Sequence, residues 1–283
     1  MKILFVSDFS LKQNTGGAQV SNDAIIKHGE QLGHEIVLHN IDSAYTDFLC
    51  SYDLVISSNL EVINKNTPDK LNFILNHPQH VRLEHDSCLY LAQDIRKQLF
   101  ESSKINFFLS EFHISFFREM YGDIFPNVEI VADPIDTKLF CKSNKQKIYD
   151  VVYCGFLHEL KGLHQLTEFA KNNPQRRIDV FGWSARDISS VLAPHANIKY
   201  HGLVSHADTA EIYQQAQAVY HHPIVNEPFC RMIAEAILCG VPEFQGNENK
   251  IGSLQEYQRL GREKFAHNCM HAPQIFWDKI NQL

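Results

Sequence analysis

The chain has 283 residues, 44% of them apolar, which suffices for two cores in domains of about 140 residues each and leaves no low-complexity stretch. A formal net charge of −7 speaks against a broad nucleic-acid-binding face. Seven cysteines, an odd number with no C-x-x-C pair, disfavour a disulfide framework or a zinc finger and point to free thiols in a reducing, cytoplasmic compartment.

Residues 3–6 predict a first strand, and the N-terminal stretch is too short for a secretion signal. No apolar run nears the ~20 residues of a membrane span, which leaves peripheral contact with a membrane surface open. A helix is expected over 16–32, then strands at 35–39, 54–57, 80–84 and 105–109. Helices at about 89–102 and 112–120 and a strand at 128–131 complete this half. Buried strands alternating with helices predict a parallel sheet covered on both faces. Residues 142–148 are polar and aperiodic, and read as a linker between domains at 1–141 and 149–268. The alternation restarts with strands at 150–155, 178–182, 197–200 and 218–222, and helices at 163–171, 186–192 and 208–216. Residues 269–283 hold a last helix expected to cross back onto the first domain. The fold class is therefore α/β, with two doubly wound, Rossmann-like domains facing a central cleft. Ligands in such sheets sit beyond the carboxyl ends of the strands.

The run from Asn226 to Pro242 carries the most chemistry. Phe229, Met232, Ile233, Ala236 and Ile237 share one helical face, and Gly240 with Pro242 stops the helix. Glu227 then falls just before the helix and Glu235 two turns into it. A helix N-terminus draws anions, so the backbone N–H groups of Phe229, Cys230 and Arg231 are candidates to hold a phosphate or sugar oxygen. The bland alternative for Glu235 is a surface-helix acid. Lys161 lies in a loop between Gly155 and Gly162, straight after a strand. Gly16 and Gly17 permit close backbone approach to a ligand, or form a plain turn before the first helix. His85, followed by Asp86, ends a strand, and histidine suits hydrogen-bonding work because its charge is easily tuned. Sixteen histidines dilute the weight of any single one. The neighbours His221 and His222 point to opposite strand faces and make a poor chelate, and no metal cluster stands out. A dehydrogenase is disfavoured, since no G-x-G-x-x-G follows the first strand.

Six ordered matches make nearly the whole chain resemble the retaining, nucleotide-sugar-dependent glycosyltransferases of family 4, which have the GT-B fold. They are Gly16-Gly17 after the first strand, Glu84-His85-Asp86, Asp133-Pro134-Ile135-Asp136 with Phe140, the loop from Gly155 to Lys161-Gly162, Tyr200-His201-Gly202, and the Glu227-x(7)-Glu235 run with its downstream Gly240. This chain has Phe156 where the family carries Arg and Cys230 where it carries Gly. The resemblance implies catalytic roles for Glu227, Lys161 and His85. Glu227 would hold the donor sugar's hydroxyls, and Lys161 the departing diphosphate. Substrate contacts would come from Glu235 at the ribose and from Gly16, Gly17, Asp86, Gly155, Phe229, Cys230 and Arg231. It implies a hexose moved from a nucleotide-diphosphate sugar, UDP- or GDP-linked, to a glycan, lipid or small acceptor, as in polysaccharide biosynthesis. Neither a cofactor nor a metal is expected, the nucleotide sugar being a substrate. Oligomeric state is left open. Two rivals are a degenerate module that binds a nucleotide sugar or glycan, or supports a partner subunit, and a sugar-nucleotide epimerase on the same architecture.

Overall fold

The computed structural model describes residues 1–14, 16–60, 68–87 and 92–283. Two compact units emerge, one formed by Met1–Pro134 with His267–Leu283, the other by Ile135–Ala266. The expected linker at 142–148 lies within the second unit. Its lysines explain why. Lys145 pairs with Glu211 at 2.9 Å, and the Lys147 ammonium donates to the Gln214 carbonyl at 3.0 Å.

The first unit runs β1 (Lys2–Val6), α1 (Gly17–Gln31), β2 (Glu35–His39), β3 (Leu54–Ser57), α2 (Pro68–Asn76), β4 (His80–Leu83), α3 (Gln93–Ser102), β5 (Ile105–Phe108), α4 (Glu111–Tyr121) and β6 (Val128–Ile130). The strands form one parallel sheet in the order β2-β1-β3-β4-β5-β6. Side chains alternate across a strand, and β1 feeds two cores accordingly. Ile3 and Phe5 join Ile25 of α1 on one face, while Leu4 and Val6 meet Phe48, Ile74 and Leu99 on the other. The final helix, α11 (Ala272–Ile280), belongs to this unit. Its Trp277 is fully buried, packs in the α1 core and donates its indole N–H to the Ile25 carbonyl at 2.8 Å. The helix expected from about residue 89 begins, among the described residues, at Gln93.

The second unit runs β7 (Tyr149–Phe156), α5 (Leu163–Asn172), β8 (Ile178–Trp183), α6 (Ser189–Leu192), β9 (Ile198–Gly202), α7 (His206–Gln214), β10 (Ala216–His221), α8 (Arg231–Cys239), β11 (Glu243–Gly246) and α9 (Gly252–Leu260). Helix α10 (Arg262–Met270) contains the division between the units. This sheet is also parallel, in the order β11-β10-β7-β8-β9. Three departures from expectation have local causes. Helix α6 is short because Asp187 takes the Ser189 N–H at 2.8 Å and ends the preceding turn there. Helix α7 starts two residues early, since Ser205 and Asp208 form a reciprocal capping box. Strand β11 carries no apolar run; its sequence is Glu-Phe-Gln-Gly, and it is seen only through its pairing with β10.

Each sheet changes direction of growth at one place. In the first unit this lies between β1 and β3, in the second between β7 and β10. Loops leaving such neighbouring strands part to opposite sides and open a crevice, and the candidate residues fall in those loops.

Candidate functional site

In the second unit β7 and β10 deliver the two charged groups that the sequence analysis singled out. A short 3-10 turn, Glu159–Lys161, follows β7, with His158 capping it through the Leu160 N–H. Gly162 ends the turn at φ +89°, and a Cβ there would lie 2.0 Å from the His222 carbonyl oxygen. Only glycine lets the loop after β7 sit against the end of β10. The Ile224 N–H donates to the Leu160 carbonyl at 3.0 Å and ties the two loops together. As a result Lys161 Nζ stands 2.6 Å from Glu227 Oε1. Gly155 lies under α8, where an added Cβ would meet Met232 Sδ at 3.3 Å.

Glu227 is held from behind. Its N–H donates to the Lys250 carbonyl at 2.8 Å, and its carbonyl accepts from the Gly252 N–H at 2.9 Å. The side chain is buried, with His221 Nε2 at 3.4 Å. Burial acts to raise this carboxyl, but the Lys161 charge and His221 outweigh it and hold it down at about 2. Glu227 is therefore an anion at neutral pH, beside a cation, at the crevice of the sheet.

Helix α8 begins at Arg231, later than the apolar spacing implied. Phe229 is consequently not a helical residue. It is buried ahead of the helix, its ring stacked 6.0 Å from Phe265. Glu235 sits little more than one turn into the helix, not two. It is buried, with His206 Nε2 at 3.1 Å and Arg231 at 3.7 Å. Cys230 precedes the helix at φ +63°, the one left-handed non-glycine among the described residues. The Ser253 hydroxyl donates to its carbonyl at 3.1 Å, and burial pushes its thiol well above the ordinary value. Its carbonyl also takes the Ile233 and Ala234 N–H groups at 3.2 and 3.1 Å, which closes the first turn of α8.

Sequence reasoning passed over two features here. His221, given little weight among sixteen histidines, is buried, and with Glu227 and Cys230 it brings three potential metal donors within 4.8 Å of one another. The three come from a strand, a loop and a helix start, and only the fold unites them. Phe156 lies beside Trp183 in the β7–β8 register, with ring centres 4.5 Å apart, and the His158 ring is stacked with it at 5.4 Å. Two aromatic residues ending adjacent strands were the available signal. Arg186, in the chain after β8, pairs with Glu159.

The first unit has its own polar cluster. Gly16 precedes α1 with an ordinary extended backbone, and Gly17 opens the helix; Thr15 lies outside the described residues. His85 and Asp86 follow β4. His85 Nε2 lies 2.9 Å from Asn22 Oδ1, while Asn22 Nδ2 donates to Ser7 Oγ at 3.1 Å. That amide orientation makes the His85 Nε2 the donor and leaves Nδ1 as an acceptor. Burial lowers His85 to about 4, against the pull of Asp133 and Glu84, so the ring is neutral at pH 7. Asp86 accepts from Asn59 Nδ2 at 2.8 Å, and Ser21 Oγ donates to Asp133 at 2.5 Å. Asn22, Ser58 and Asp133 thus gather about His85; Asp133 belongs to a run marked in the sequence, whereas Asn22 and Ser58, in helix and loop, did not stand out there. Behind them the buried Glu84 is held at about 2: burial opposes its ionisation, and Arg82 with Arg96 overcomes it.

Residues 136–251 match the family model described as glycosyl transferases group 1. No curated protein matches this sequence. Among solved structures, the chain is similar to HepE of Anabaena in complex with UDP, at 16% identity and TM-score 0.67, covering 100% of both chains. It is similar to the sucrose-phosphate synthase of Thermosynechococcus elongatus, at 13% identity and TM-score 0.69, over 100% of this chain and 96% of that one. A glycosyltransferase of Rickettsia africae matches at 13% identity and TM-score 0.58, over 99% and 98%. At such identities the structures speak to the fold, which is GT-B. The family match lies within the second unit, which carries the group 1 signature. Among the described residues no helix is long and apolar enough to cross a membrane.

Proposed function

We propose that this chain is a retaining hexosyltransferase of family 4, which moves a sugar from a nucleotide diphosphate to a glycan, lipid or small-molecule acceptor. The observation that carries the reading is the Lys161–Glu227 pair, 2.6 Å apart at the crevice of the second sheet and inside the group 1 match. Departure of the nucleotide builds negative charge on its β-phosphate. A fixed ammonium and the start of α8 stabilise that charge as it forms. Glu227, ionised and buried, accepts hydrogen bonds from the donor sugar's hydroxyls and fixes the ring over the reacting bond. Glu235 takes the ribose hydroxyls, displacing His206 in part. The acceptor hydroxyl then attacks on the face the nucleotide leaves, and a departing phosphate oxygen takes its proton. In the first unit, neutral His85 with an acceptor Nδ1, and Asp86, serve the acceptor or the donor sugar. A UDP donor is favoured by the UDP held in the similar HepE structure, and a cytoplasmic site follows from free thiols.

The test is a thermal-shift panel of UDP, GDP, ADP and TDP sugars, followed by transfer assays with whichever stabilises. A ligand at about 100 times its Kd adds about 2.7 kcal/mol. Glu227→Ala is expected to abolish transfer while the fold persists, and near-normal turnover would remove its assigned role. Phe156 supports a second reading, a module that binds a nucleotide sugar without turning it over, since its ring lies against Trp183 where an arginine would grip phosphate. Binding with no transfer and no donor hydrolysis would select it.

A further inference from the structure

We infer that His221, Glu227 and Cys230 form a binding site for one thiophilic divalent cation of the Zn2+ class. His221 ends β10, Glu227 lies in the loop beyond it, and Cys230 precedes α8. Their donor atoms lie within 4.8 Å of one another, with His221 Nε2 and Glu227 Oε1 3.4 Å apart. Bonds of about 2.0–2.3 Å at tetrahedral angles put ligand atoms about 3.5 Å apart, so modest closure suffices.

A second, independent observation points to a ligand. His221 is 3% exposed; its Nδ1 has no hydrogen-bond partner, and its Nε2 meets only Glu227 Oε1, at a long 3.4 Å. A buried imidazole left so is costly, and a cation bound at Nε2 answers the nitrogen that faces Glu227. The frame is also fixed in advance. Glu227 is anchored to Lys250 and Gly252, Cys230 to Ser253, and the His221 carbonyl accepts from the Asn247 N–H at 3.2 Å. One nitrogen, one oxygen and one sulfur donor suit Zn2+ and exclude Mg2+ or Ca2+, which take oxygen ligands.

The exchange balances simply. Zn2+ bonds to the imidazole, the carboxylate and the thiolate, the Cys230 thiol proton leaves to solvent, and no electron moves. Lys161, whose side chain is 37% exposed, gives up Glu227 and turns outward. The fourth position is left to water or another small ligand. The site stands apart from the transfer reading. Its consequence rests on that reading: a bound cation takes the carboxylate otherwise given to the donor sugar and acts as an inhibitor.

The test reads metal binding and not turnover, so its failure and that of the transfer reading are separate results. In a chain carrying C50S and C141S, which removes the two exposed thiols among the described residues, Co2+ is titrated as a spectroscopic stand-in. One equivalent per chain with a thiolate-to-cobalt band in the near ultraviolet is expected. The band should vanish in Cys230→Gly, a change that suits the left-handed backbone and keeps the fold. Zn2+, followed by displacement of Co2+, should bind more than about 100-fold more weakly in His221→Gln, beyond the usual loss from a second-layer partner. Absence of the band in the parent, or its survival in Cys230→Gly, overturns the inference.

Discussion

The Lys161–Glu227 pair sets a quantity that unfolding experiments can measure. Glu227 lies at about 2 against an ordinary 4.5. That difference (4.5 − 2 = 2.5) is worth about 3.4 kcal/mol of preference for the ionised folded form, at 1.36 kcal/mol for each step of one. His221 supplies a share, and the Lys161 side chain is 37% exposed to screening water. Discounting by about half leaves a coupling of about 1–2 kcal/mol between lysine and glutamate. A double-mutant cycle with Lys161→Met, Glu227→Gln and the combined variant isolates it, using urea unfolding at pH 7 followed by circular dichroism. Lys161→Met is expected to be the more damaging single change, because it strands a buried carboxylate. The folded value lies below the unfolded one, so the stabilisation is fully present above about 4.5 and disappears as pH falls through about 2. Repeating the cycle at pH 3 should therefore return less than about half the coupling. Single effects that sum to the double within about 0.3–0.5 kcal/mol at pH 7 would refute the argument.

Gly162→Ala should destabilise the second unit by more than about 2 kcal/mol, since it combines a left-handed backbone with a Cβ 2.0 Å from the His222 oxygen; thermal unfolding checks it. Cys230→Gly should stabilise by about 0.5–1 kcal/mol, the strain relieved at φ +63° exceeding the entropy that glycine adds to the unfolded chain, and a lower melting temperature would contradict this. The His85 ring, lowered to about 4 by burial, should show no titration between pH 5 and 8 by NMR. Its folded value lies below the unfolded one, so protonation favours the unfolded chain and its contribution to stability falls as pH drops from about 6.5 towards 4.

Much of this was legible in the residues. Buried strands such as Ile3–Val6 and Val151–Cys154 announce a parallel sheet because both faces are covered and no polar alternation interrupts them. The glycines that stop helices or allow close approach, Gly240 and Gly162, were likewise legible, since backbone conformation is written locally. Boundaries set by side-chain capping were less so: Ser205 with Asp208 decides where α7 begins, and two acceptable starts compete in the bare sequence. Phe229 was misplaced onto α8 for a related reason. Its spacing fits the helix's apolar face, but the left-handed Cys230 breaks the helix between them, and composition does not report a φ angle.

What the sequence conceals is partnership across the sheet. Glu227 and Glu235 were visible as a local run, yet the electrostatics of Glu227 come from Lys161, 66 positions away, and from His221 at the end of a separate strand. Those three meet because β7 and β10 are neighbours at the point where the sheet reverses its direction of growth, although β8 and β9 separate them along the chain. The same reversal in the first unit sets β1 beside β3 and brings Asn22, in the second turn of the helix after β1, to Ser58 and His85. In each unit the strand order, more than any one motif, selects which polar groups share a crevice. An isolated carboxylate buried as Glu227 is would take up a proton. It stays charged because topology supplies a lysine that no local window contains, and any chemistry at that crevice depends on this charge.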